Sequence, residues 1–280
     1  MIKNIRLRIE LQKEYAPLRG VRLSALDSGD SNSLNPGRRA ADGTGGKHMI
    51  PGIQLSTFRP LLTNSDQVAD VLRKIAALGC HTVQLQGIDP AVPIPDIAEA
   101  LRKTGVRAVS VQEIYAVFQR NRDYYLRLNQ AVGGVWLTVS RIPEKADVGR
   151  FAQDLKALAA ELSAHQQKLA FHPVYEDYPF LDDLLSKVPE MDICLDFYHL
   201  WRTGQKMPDW IDRYRSRVRM VHFKDAVNGR MVPAGQGQVD WTGVLDACAR
   251  VDYGFVEQEV WDTDPFACVQ SALAWLKQGK

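Results

Sequence analysis

Two hydrophobic periods alternate along the chain from Ile50 onward. Short runs that are apolar at every second position, or at nearly every position, read as buried strands. They cover residues 52–58 (GIQLSTF), 82–88 (TVQLQGI), 107–117, 134–140, 168–176, 192–200, 218–225 and 254–260. Between them, apolar residues recur at three- and four-residue spacing, which predicts helices over 65–79, 94–105, 122–133, 147–166, 180–188, 207–218, 240–251 and 264–278. Ser65 is the predicted N-cap of the first helix, and Gly79 and Gly105 stand where the first two helices should stop. Eight strand-then-helix units in about 230 residues fit a short (β/α)8 TIM barrel. A doubly wound sheet is the alternative, but a glycine-rich phosphate turn after the first strand is missing.

Residues 1–48 break the pattern. Ile5, Leu7, Ile9 and Leu11 alternate, enough for one short strand, but charges interrupt the apolar core that a signal peptide needs. The stretch DSGDSNSLNPGRRAADGTGGK is rich in Ser, Gly, Asp and Asn and has nothing periodic to bury. The expected organisation is therefore a disordered extension over 1–48 and a barrel over 49–280. Met49 directly precedes the first strand and is a candidate start of translation; an N-terminal peptide from residues 1–48 of the native protein would refute that.

The totals narrow the partners. A formal net charge of +2 over 280 residues argues against nucleic acid and against a membrane surface. No apolar run approaches the roughly 20 residues that span a bilayer. Cys80, Cys194, Cys248 and Cys268 are far apart and form no CxxC pair, which fits a reducing, cytoplasmic setting.

The carboxyl ends of barrel strands meet at one mouth. Here they carry Gln54, Ser56 and Arg59, then Gln84 and Gln86, Gln112 and Glu113, and His172, Glu176 and Asp177. The later strands add Asp196 and His199, His222, Lys224 and Asp225, and Glu257 and Glu259. Any one of these is as readily an ordinary polar strand end, and Glu257 and Glu259 suit ion pairs with Lys224 and Arg59. Together, histidines and carboxylates on separate rigid strands suit one divalent cation with mixed N and O ligands: manganese, cobalt, zinc or magnesium. His199 is expected past the end of its strand, leaning over the pocket. The glycine-containing loop VNGRMVPAGQGQ is expected to order over bound substrate.

The segments LAFHPVYEDYP, ICLDFYHLWRTGQ, VRMVHFKDA, AGQGQVDWTGVLDACARVDYGFVEQE and DPFACVQSALAWL resemble the xylose isomerase-like barrel superfamily, in its sugar phosphate isomerase and epimerase group. GIQLSTFR resembles the first strand of that group, so the likeness runs over about residues 50–280. It implies a divalent metal held by a fifth-strand residue, Asp196, His222 and Glu257. For the fifth strand His172 is preferred over Glu176 or Asp177. It further implies Glu257 as ligand and candidate base, and Glu176 as a second catalytic carboxylate. His199, Lys224, Gln54 and Arg59 would then contact substrate. Two positions depart from the pattern: Val174 and Gln112 stand where relatives commonly carry histidine. The implied activity is isomerisation or epimerisation of a small sugar, keto-sugar or polyol through an enediolate. An inosose-dehydratase-like lyase and a non-catalytic sugar-binding barrel are the alternatives, and an oligomer is compatible with each. An endonuclease of the same fold needs more histidines than the six present.

Overall fold

A computed structural model describes residues 49–143 and 147–278. The extension expected over 1–48, including its short strand, lies outside the described residues.

The barrel strands are β1 (Ile50–Gln54), β2 (Thr82–Leu85), β3 (Arg107–Ile114), β4 (Trp136–Ser140), β5 (Lys168–His172), β6 (Asp192–Asp196), β7 (Val218–Phe223) and β10 (Tyr253–Val256). Among the described residues they close in the order β1-β10-β7-β6-β5-β4-β3-β2, every neighbouring pair parallel. The expected (β/α)8 barrel is the observed fold. Helices α1 (Ser65–Ala77), α2 (Ile94–Thr104), α5 (Val148–Ala164), α6 (Tyr178–Lys187) and α10 (Pro265–Gln278) each turn a buried apolar stripe inward. In α5 that stripe is Phe151, Leu155, Leu158 and Leu162, the three- and four-residue spacing that marked it in the sequence.

The strands end earlier than the apolar runs do, each for a local reason. β5 stops at His172 because Pro173 has no N–H to continue the ladder. β6 stops at Asp196, whose Oδ1 accepts the His199 backbone N–H at 2.9 Å and caps a five-residue helix, α7 (Phe197–Trp201). The third run likewise turns helical at Tyr115, and the first enters a 3-10 turn at Leu55. The N-cap of α1 is Asn64 rather than Ser65: its side chain accepts the Gln67 N–H at 3.0 Å.

The helix expected over 240–251 is reduced to α9 (Val244–Ala247) and a 3-10 turn, because Gly243 enters it with a φ of 71°. Between β7 and α9 the chain forms an antiparallel hairpin of β8 (Asp225–Val227) and β9 (Arg230–Val232), which the periodicity did not predict.

The barrel interior is layered. Its floor is Val109, Trp136, Ala170, Cys194, Met220 and Phe255. Burial of each large floor side chain contributes about 1.5–3 kcal/mol. Trp136 is held by an indole N–H donated to Asp192 Oδ2 at 2.8 Å. Above the floor lies Gln84, whose amide nitrogen donates to Ser110 Oγ at 3.2 Å and Thr138 Oγ1 at 3.4 Å and touches Met220 Sδ at 3.9 Å.

Candidate metal centre

Four floor residues set the position of the site by strand alternation alone. Ala170, Cys194, Met220 and Phe255 point inward, so the residues two positions further on point inward one layer higher. Those residues are His172, Asp196, His222 and Glu257. Register completes the arrangement, since Asp196 and Phe255 both pair with His222 across the ladder.

The four side chains converge. His172 Nε2 lies 3.1 Å from His222 Nδ1 and 3.5 Å from Asp196 Oδ2. His222 Nδ1 lies 2.9 Å from Glu257 Oε2 and 3.8 Å from Asp196 Oδ2. Donor atoms of His172, Asp196 and His222 fall within 4.8 Å of one another, and all three residues are buried. The opposite nitrogen of His222, Nε2, faces Gln84 Oε1 at 2.6 Å. That oxygen also accepts from Gln54 Nε2 at 2.9 Å. An amide oxygen is acceptor-only, so it keeps the imidazole proton on Nε2 and leaves the Nδ1 lone pair facing the cluster. Nδ1, Glu257 Oε2 and Asp196 Oδ2 then present lone pairs to one another, and both buried oxygens have the Lys224 ammonium as their positive partner. Only a cation or a proton relieves such an arrangement, so this mixed N/O donor set fits a divalent ion.

The charge facing those oxygens in the chain itself is Lys224. Its Nζ lies 3.1 Å from Asp196 Oδ2, 3.0 Å from Glu257 Oε2 and 3.4 Å from Glu259 Oε2, with the side chain 3% exposed. Burial alone would push both carboxyls up. The Lys224 ammonium instead holds Asp196 well below the usual carboxylate range, helped by His199 and His172. The same ammonium, with His222, holds Glu257 below it. Burial disfavours the charged form of Lys224, but Asp196 and Glu257 outweigh it and hold its pKa well above the ordinary value. Burial lowers His222, which keeps it neutral and fit to be a ligand.

Other expected site residues take different places. Ser56, from the turn after β1, donates its hydroxyl to Glu257 Oε1 at 2.5 Å. Gln54 is fully buried and committed to Gln84. Arg59 is half-buried beside Gly87, near enough to lower the carboxyl pKa of buried Glu113, which burial itself raises. His199 lies past the end of β6, in the short helix α7, its Nδ1 accepting the Tyr175 N–H at 3.3 Å, and burial lowers it to about 3.

Glu176 is exposed in the 3-10 turn Tyr175–Asp177. Asp177 staples loops instead, accepting the Val174 N–H at 2.8 Å and the Ile142 N–H at 3.0 Å, and burial pushes it up to about 6. Trp201 stacks on Tyr198.

Asp225 has no part in the cluster. Its Oδ1 accepts the N–H groups of Ala226 at 2.9 Å and Val239 at 3.0 Å. Its Oδ2 accepts Gly235 at 3.1 Å, Gly237 at 3.0 Å and the Trp241 indole at 2.9 Å. A Cβ on Gly237 would stand 2.0 Å from Asp225 Oδ1. That glycine lets the backbone close on the carboxylate, so the glycine-containing loop is built around one side chain.

Comparison with known proteins agrees with this architecture. Residues 63–279 match the family model described as xylose isomerase-like TIM barrel. No curated protein matches the sequence significantly. A solved sugar phosphate isomerase/epimerase from Parabacteroides distasonis is similar with a TM-score of 0.68 at 15% identity, over 84% of this chain and 95% of that one. The probable 3-DHS dehydratase AsbF from Bacillus anthracis is similar with a TM-score of 0.65 at 14% identity, over 82% and 99%. D-allulose 3-epimerase from Methylomonas sp., solved with D-allulose, gives 0.66 at 15%, over 83% and 97%. At identities this low the structural likeness shows the fold alone.

Proposed function

Because the chain belongs to the xylose isomerase-like TIM barrel family, we propose that it is a divalent-metal-dependent isomerase or epimerase of a small sugar, keto-sugar or polyol. The observation that carries this reading is the meeting of His222 Nδ1, Asp196 Oδ2 and Glu257 Oε2, lone pair to lone pair, beside His172 in a buried barrel mouth. These four residues would hold the ion. When bound, it would supply Lewis acidity toward adjacent carbonyl and hydroxyl oxygens, which would make the proton on the hydroxyl-bearing carbon removable.

The chain's own groups do the rest. Glu257 takes that proton, its Oε1 held in place by the Ser56 hydroxyl. Gln84 keeps His222 in the tautomer that presents Nδ1. Glu176, exposed in the 3-10 turn after β5, is the carboxylate assigned to proton return. His199 and Lys224 are assigned to substrate oxygens, with Arg59 further round the mouth.

The similarity to a dehydratase supports one second reading. A lyase would begin with the same proton removal and then expel a hydroxyl group. Solvent deuterium incorporation during a screen of keto-sugars and inososes tests the shared step, and loss of water by mass spectrometry separates the two. Glu257→Gln is expected to bind substrate but to lower exchange by about 10²–10⁴-fold. Undiminished exchange would move the base to another carboxylate.

A further inference from the structure

Lys224 occupies the place that a metal ion would claim. Its ammonium lies 3.0 and 3.1 Å from Glu257 Oε2 and Asp196 Oδ2, the same two buried oxygens that the donor set offers to a cation. An ammonium and a divalent ion cannot share those oxygens, because both are positive and the side chain, 3% exposed, has no water to screen it. One further acceptor is within reach: Glu259 Oε2 at 3.4 Å, on a side chain that is 51% exposed and belongs to the rim of the mouth.

We propose that Lys224 is the resident cation of the unloaded site, and that metal uptake is an exchange in which its ammonium moves from Asp196 and Glu257 onto Glu259. Glu259 thereby governs metal affinity without being a ligand. The exchange keeps the buried carboxylates neutralised in both states, so the barrel mouth never holds two adjacent uncompensated negative charges. It also sets a threshold, since an ion must bind well enough to displace an intramolecular partner. Loading in turn delivers the Lys224 ammonium to the rim, beside the space from which a sugar hydroxyl enters. The inference rests on the metal reading above.

Mn2+ affinity measured by calorimetry, in the full chain and three variants, tests it. Lys224→Met removes the competitor and is expected to bind Mn2+ about tenfold or more tightly. Glu259→Gln, at a half-exposed position that folding tolerates, removes the displaced ammonium's partner and is expected to weaken binding about threefold or more. In Lys224→Met/Glu259→Gln the second effect should vanish, because no ammonium remains to be received. Equal or weaker binding in Lys224→Met overturns the exchange while leaving the metal centre standing. So does a Glu259→Gln effect that is the same with and without Lys224, since Glu259 would then act on the ion by charge alone. Failure of all four proteins to bind Mn2+ overturns the metal reading itself, and the exchange with it.

Discussion

Gln84 carries more of the site than its neutral side chain suggests. It is tied below to Ser110 and Thr138 and above to His222, so it fixes both the orientation and the tautomer of that imidazole. Gln84→Leu keeps comparable bulk and removes the acceptor. Metal affinity is expected to fall about 10–100-fold, read as Mn2+ binding, while the folded far-UV spectrum is retained. His172, Asp196, His222 and Glu257 were legible as polar strand ends, conspicuous against apolar neighbours, but it was the resemblance to the barrel family that set them apart as ligands from the other polar strand ends. The work of Ser56 and Gln84 was not legible, although both stand out as polar residues in apolar runs. What they do depends on Glu257, 201 positions from Ser56, and on His222, 138 positions from Gln84. No local pattern records such a pairing.

Strands and helices of the barrel were readable to within a few residues, because their burial repeats every two or every 3.6 positions. Their ends were not. Apolar residues continue past β5 and β6 and stay buried at Val174, Phe197 and Leu200, so hydrophobicity persists after the ladder has stopped. The hairpin β8–β9 and the following turn escaped for another reason, being ordered by a single carboxylate rather than by a periodic face. Asp225→Ala would strand four backbone N–H groups and one indole N–H at once, each costing about 1–3 kcal/mol where burial persists. Because the segment is peripheral, it should open locally rather than unfold the barrel. Hydrogen exchange is expected to lose protection at Gly235, Gly237 and Val239 while β5 and β6 keep theirs. Protection unchanged at these three amides would rule out Asp225 as the organiser.

The closed sheet would make stability and loading of the proposed metal one problem. An ion joining β5, β6, β7 and β10 as proposed would bind the folded chain alone, so at one hundred times its dissociation constant it would add about 2.7 kcal/mol. For a chain of this length that corresponds to a rise in Tm of roughly 5–10 °C. Thermal melts with and without Mn2+ should display this rise in the native sequence and lose it in Asp196→Asn; equal rises in both would place the ion elsewhere.

No helix among the described residues is long and apolar enough to cross a membrane. The barrel is sealed where β1 meets β10, with Ile50 against Tyr253 and the Ser56–Glu257 bond just beyond. During synthesis the ribosome releases His172, Asp196 and His222 before Glu257 exists. A nascent chain therefore holds three of the four proposed ligands and lacks the proposed base, and its first strand has no partner on one edge. Only the last-made strand supplies Glu257 and the seam together, so the proposed site is completed in the same event that closes the fold.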